Sequence, residues 1–203
     1  IRRPAGMRSE AFERRLVVAR RRVEQAARER GESRLSIPSA SSRTIVYKGL
    51  VAGDRLAQLY PDLAAGVPVS YAVFHQRYAT NTTPIWRLAQ PFRLVAHNGE
   101  INTVMGNENW MRAREALLES ELLEGLERAF PICTPGSSDT ARFDEVLELL
   151  HMGGYSLPHA VLMMIPEAWE HHESMPDWKR DFYRFHASVM EPWDGPASIA
   201  FTD

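Results

Sequence analysis

Residues 92–96, apolar but for Arg93, form a short run that stops at His97-Asn98-Gly99-Glu100. The run reads as a strand. Asn-Gly is the dipeptide that turns a chain most readily, because both residues tolerate positive φ. A strand therefore ends here with polar groups at its tip. The Asn98 amide and the Gly99 N–H are two donors that can converge on one point, as stabilising an oxyanion requires. The same dipeptide is also an ordinary hairpin turn, and the residues alone leave both readings open.

The rest of the chain alternates helical and strand patterns. A helix is expected over residues 9 to 30, with Phe12, Leu16, Ala19, Val23 and Ala26 as its apolar stripe and Gly31 ending it. Strands are expected at 44–47, 69–78 and 196–201, and a short helix at 54–60. Residues 79–91 read as loop. Gly106-Asn107 opens a helix through Trp110, Ala113 and Leu117. Another starts at Ser138-Asp139-Thr140, carries Phe143, Val146, Leu147 and Leu150, and closes at Gly153-Gly154. Helices follow at 157–165 and 177–190. There is no repeat, low-complexity tract or clear linker.

A chain of 203 residues can bury a real core. No apolar run approaches the roughly 18 residues of a membrane helix. The single cysteine, Cys133, excludes a disulfide framework and a four-cysteine zinc site. The net charge of −2 hides an asymmetry. Residues 1–43 hold twelve arginines against five glutamates, a net +7. Such an arm can meet nucleic acid, but its acids are interspersed and no stacking aromatics accompany the arginines, which favours a solvated Arg-rich helix.

Two further polar clusters sit at element ends. His75-Gln76-Arg77-Tyr78-Ala79-Thr80 closes the strand expected at 69–78. The planar fork of Arg77 suits a carboxylate, and a structural salt bridge is the alternative. Asp139 at a helix start suits a ligand ammonium or serves as an N-cap. Together these groups describe an amino-acid substrate and an acyl-transfer step, which needs a nucleophile. Cys133 lacks a glycine elbow or a helix N-terminus and reads as packing. There is no Gly-x-Ser-x-Gly elbow, Walker loop or Gly-x-Gly-x-x-Gly. Glu170-His171-His172-Glu173 reads as one helix with side chains pointing apart, and not as a metal site.

These clusters resemble the class II glutamine amidotransferases, and specifically the glutaminase domain of the glutamate synthase large subunit. The resemblance is carried by Pro4-Ala5-Gly6-Met7, Ser41-Ser42-Arg43-Thr44-Ile45-Val46-Tyr47-Lys48-Gly49, the run from His75 to Thr82, His97-Asn98-Gly99-Glu100-Ile101-Asn102-Thr103, Gly106-Asn107, Asn109-Trp110-Met111, Ser138-Asp139-Thr140 and Met190-Glu191-Pro192-Trp193-Asp194-Gly195-Pro196. It implies an α+β fold, part of a four-layer α/β/β/α sandwich of the N-terminal-nucleophile hydrolase type, with residues 1–203 as part of one domain. It implies that Arg77, helped by Thr80, pairs with the substrate α-carboxylate. Asp139 would hold the α-ammonium, and Asn98 and Gly99 would form the oxyanion hole.

The family's nucleophile is a cysteine at the mature N-terminus with its own amine as base. Position 1 here is Ile, so that segment is expected to be missing and this piece alone inactive. The parent reaction implied is hydrolysis of glutamine to glutamate and ammonia, the ammonia then aminating 2-oxoglutarate in glutamate biosynthesis and nitrogen assimilation. No cofactor is expected within these residues, while FMN and an iron–sulfur cluster are implied for the whole enzyme. Implied partners are glutamine, the rest of the chain and a small electron-donating subunit, with no nucleic acid and no membrane, in the cytoplasm. The alternatives are a non-catalytic amino-acid-binding or interaction module that has lost its nucleophile, and another class II amidotransferase.

Overall fold

The computed structural model describes residues 1–78 and 83–202. Its helices are α1 (Ser9–Glu29), α2 (Leu56–Leu59), α3 (Val104–Glu115), α4 (Asp139–Met152), α5 (Leu157–Met164) and α6 (Asp177–Ala187). Its strands are β1 (Val95–Gly99) and β2 (Ala197–Phe201). The chain is thus mixed helix and strand. Among the described residues the one sheet is the antiparallel pair of β1 and β2, with Val95 opposite Phe201 and Gly99 opposite Ala197.

The core lies between α4 and this pair. Phe143, Val146 and Leu147 of α4 pack with Leu94, Val95, Ile101, Met111, Met164 and Trp193. Phe143 meets Trp193 edge to face at 5.8 Å. Ser138 caps α4, its hydroxyl accepting the Ala141 N–H at 3.2 Å, so the expected start of that helix stands.

α1 buries a different face from its apolar stripe. Phe12, Glu13, Val17, Val18 and Arg21 are buried, whereas Ala19, Val23 and Ala26 are exposed. Polar partners turn the helix. Glu13 accepts the Ser42 N–H and hydroxyl at 2.8 and 2.6 Å. Arg21 donates to the carbonyls of Ala129, Pro131 and Ile132, and Arg14 to the Met152 carbonyl at the end of α4. Arg20 pairs with Glu148. The helix is therefore not a uniformly solvated one: Arg14, Arg20 and Arg21 are committed inward.

Residues 44–47 and 69–78 are not strands. β-propensity is a fit to a pleated, half-buried surface, and it becomes a strand only when a partner takes up its N–H and C=O groups. Among the described residues neither stretch pairs with another strand, and Val69 and Phe74 are exposed. Lys48 beside the first stretch is buried, donating to the Arg87 and Ala89 carbonyls at 3.0 Å each. Burial pushes its ammonium down to about 8.

Candidate active site

Asn98-Gly99 is not a hairpin turn. It is the paired end of β1, and its partner lies about a hundred residues downstream, with Asn98 opposite Ser198. Thr202 N–H donates to the Leu94 carbonyl at 3.0 Å, and Glu100 N–H to the Pro196 carbonyl at 2.9 Å. Antiparallel bonding alternates, so Leu94, Ala96, Asn98 and Glu100 face β2. The N–H groups of Val95, His97 and Gly99 face the other edge.

Two of those three are taken. Val95 N–H donates to Asp144 Oδ1 at 3.0 Å, and His97 N–H to Gln90 Oε1 at 2.6 Å. The Gly99 N–H has no acceptor among the described residues. The Asn98 side chain beside it is exposed and equally without a partner there. Both oxyanion candidates thus keep spare donors at one strand end.

The strand end is held in place by the segment 190–196. Asn102 N–H donates to the Asp194 carbonyl at 2.7 Å, and Asp194 N–H to Thr103 Oγ1 at 2.9 Å. Asn107 Nδ2 reaches the Pro192 carbonyl at 3.0 Å. Two glycines permit the contact. A Cβ on Gly99 (φ 147°) would sit 1.9 Å from the Pro196 oxygen, and one on Gly195 (φ 150°) 1.9 Å from the Glu100 oxygen. The two long motif runs of the sequence are therefore one packed unit.

Asp139 joins this unit. Because Ser138 is the cap, the Asp139 carboxylate is released from capping. Its Oδ2 accepts the Ile101 N–H at 2.8 Å, two residues beyond Gly99. Thr140 Oγ1 lies 3.4 Å from Asp139 Oδ1 and 2.9 Å from His97 Nδ1. Burial holds the His97 imidazole below its usual pKa, against the pull of the Asp139 charge.

Farther along α4, Asp144 is fully used. It accepts the N–H groups of Arg93, Leu94 and Val95 at 3.2, 2.7 and 3.0 Å. Burial and the Glu148 charge push its carboxyl up to about 6. Sequence reasoning missed this residue and gave Thr140, named in the cluster with Asp139, no role of its own. The available signal was an acid between Phe143 and Val146 on an apolar helix face.

Arg77 is not assembled with Asn98, Gly99 and Asp139. It is exposed, on a stretch without regular structure, and makes no hydrogen bond or ion pair among the described residues. The salt-bridge alternative is therefore absent there. The stretch does pass near β1, since the charge of His75 is felt at His97. Thr80 lies outside the described residues. Cys133 is buried in the core, and burial, then Glu145, pushes its thiol up to about 12. A thiol so held is not a nucleophile near neutral pH. Residues 170–173 are exposed and irregular, not helical. No group of three or more metal-ligating side chains occurs among the described residues.

A family model of the class-II glutamine amidotransferases matches residues 1–203. The chain belongs to that family. Within it, the chain is 42% identical to the glutamate synthase [NADPH] large chain of Azospirillum brasilense over 98% of its own length and 13% of that protein's. It is 43% identical to the chloroplastic ferredoxin-dependent glutamate synthase 2 of Arabidopsis thaliana, over 94% of this chain and 12% of the relative. For the glutamate synthase [NADH] of Schizosaccharomyces pombe the identity is 46%, over 96% and 9%. This amidotransferase chain thus spans about an eighth or less of these relatives. No helix among its described residues is long and apolar enough to cross a membrane.

Proposed function

We propose that residues 1–203 are part of the glutaminase domain of a glutamate synthase, with Asn98 and Gly99 as its oxyanion hole and Asp139 and Arg77, helped by Thr80, as its clamp on glutamine. The observation that carries this reading is the open edge of β1. The Gly99 N–H has no acceptor among the described residues, Asn98 stands beside it, and Asp139 is tied to Ile101 with one carboxylate oxygen bound only at 3.4 Å. Relatives bearing that enzyme's name support the parent reaction. The fold in this reading is the four-layer α/β/β/α sandwich, of which β1 and β2 are two strands.

In the reaction, a thiolate attacks the side-chain amide carbon of glutamine. The carbonyl oxygen takes the negative charge and meets the Asn98 amide and the Gly99 N–H. Collapse expels ammonia and leaves a γ-glutamyl thioester. Water then adds, and the thiol departs as glutamate forms. The thiol is not Cys133, so the scheme draws it from outside residues 1–203, and this segment alone is inactive. The ammonia aminates 2-oxoglutarate elsewhere in the parent protein. One buried cysteine does not fit an iron–sulfur cluster, which takes several thiolates. In this reading the cluster, FMN and a small electron-donating subunit serve the rest of the parent protein, in the cytoplasm.

The test is Asn98→Ala in the full-length protein, with glutamate release from glutamine as readout. Loss of one oxyanion donor is expected to lower kcat by about 10²–10³. Unchanged turnover removes the assignment.

A further inference from the structure

One buried side chain lies behind the open strand end. His97 is 2% exposed and sits on the strand face opposite Asn98. Its Nδ1 is 2.9 Å from Thr140 Oγ1. Its Nε2 is buried without a hydrogen-bond partner among the described residues. That atom lies against Gly99, since a Cβ built there would be 2.9 Å from Nε2 and 1.9 Å from the Pro196 oxygen. Nε2 therefore points across Gly99 toward the Pro196 carbonyl.

Burial lowers the imidazole pKa, so the ring is neutral near pH 7 and carries one proton. With the proton on Nδ1, the Nε2 lone pair would face a carbonyl oxygen. The Thr140 hydroxyl would then accept from His97 and spend its own proton on Asp139. With the proton on Nε2, the ring donates toward Pro196 and accepts the Thr140 hydroxyl at the shorter distance. Asp139 Oδ1 then keeps its lone pairs, while Oδ2 holds Ile101.

We infer that His97, as the Nε2–H tautomer, and Thr140 are positioning residues that fix the Gly99 N–H relative to the Asp139 carboxylate and leave Asp139 Oδ1 open to the substrate ammonium. The inference rests on the glutaminase reading above. Neither residue touches substrate. Each acts through a neighbour: Thr140 through His97, whose proton it keeps on Nε2, and His97 through Gly99.

Both links are read in kcat. In the full-length protein, Thr140→Val keeps the side-chain volume and removes the hydroxyl. It frees the ring to carry its proton on Nδ1 and is expected to lower kcat about tenfold with KM nearly kept, since Asp139 Oδ1 stays open, whereas Thr140→Ser recovers most of the loss. His97→Asn keeps a polar atom for Thr140 and loses the Nε2 contact. It is expected to lower kcat about tenfold with KM nearly kept. Thermal midpoints and Asn98→Ala are measured alongside. Wild-type kcat and KM in folded Thr140→Val, with Asn98→Ala inactive, overturn the inference and leave the glutaminase reading intact. Full activity in Asn98→Ala overturns both. If Thr140→Val does not fold, His97→Asn decides alone: unchanged kcat refutes the positioning role.

Discussion

The contact between α4 and β1 has a closed end and an open end. At the closed end Asp144 accepts three backbone N–H groups, and Arg93 lies among Glu13 and Glu148 at 3.4 and 3.9 Å. Arg93, Glu13 and Glu148 are paired there, and their side chains are almost wholly buried. At the open end, five residues earlier on the same helix, Asp139 accepts one backbone N–H, and the Gly99 N–H and the Asn98 side-chain amide are unspent among the described residues. Both ends use a carboxylate against strand N–H groups. At the closed end the Asp144 carboxylate is taken up by the strand's N–H groups and can only hold the strand. The open end has bonding capacity left over, which is what a ligand site needs.

The largest effect expected is at the closed end. Asp144→Ala leaves three buried N–H groups unpaired at about 1–3 kcal/mol each, so a loss of roughly 4 kcal/mol of stability is expected in denaturant unfolding. A loss under about 1 kcal/mol would show that water reaches the closed end and would erase the contrast. The open end should behave oppositely, with Asn98→Ala costing turnover and little stability.

A smaller effect is expected at Arg77, which has no structural partner among the described residues. Arg77→Ala is expected to raise KM for glutamine about tenfold or more, as loss of a charged hydrogen-bond partner does, with the unfolding midpoint unchanged. A lowered midpoint would mean that Arg77 belongs to the scaffold.

The smallest effect is in pH. The folded Asp144 carboxyl titrates at about 6, above its ordinary 3.8. The folded state therefore binds a proton that the unfolded chain does not, and this group adds stability as pH falls from about 7 to 5. Glu13 runs the other way. Burial raises its carboxyl, but the Ser42 hydroxyl and N–H hold it below 4.5, so its contribution persists until pH falls beneath that value. His97 and His186, both lowered by burial, lose stability as pH falls below 6.5. Comparison with Asp144→Asn isolates the first contribution, expected at about 1 kcal/mol between pH 7 and 5. A pH-independent difference between the two proteins would contradict it.

Much of this was legible in the residues. The cap at Ser138, helices α5 and α6 and the final strand follow from local chemistry, and so does the placing of polar clusters at element ends. What local patterns could not supply is the partner. Asn98-Gly99 looks like a turn until β2 arrives from residues 197–201 and pairs with it. α1 offers a clear apolar stripe, yet Glu13 and Arg21 are buried because Ser42 and the carbonyls of residues 129–132 receive them. Residues 69–78 have the composition of a strand without a described partner. Asp139 was ambiguous between cap and ligand group until Ser138 took the cap.

The interlocked glycines set an order in time. β1 is translated about a hundred residues before the carbonyl of Pro196 and the strand that pairs with it. At roughly 5–20 residues per second, Gly99 waits on the order of 5–20 s for its neighbour to leave the ribosome. Until then the strand end has neither its hydrogen-bonded edge nor its backstop. The donors proposed to meet the oxyanion cannot be aligned in any nascent chain shorter than that, so competence at this site arrives late and all at once.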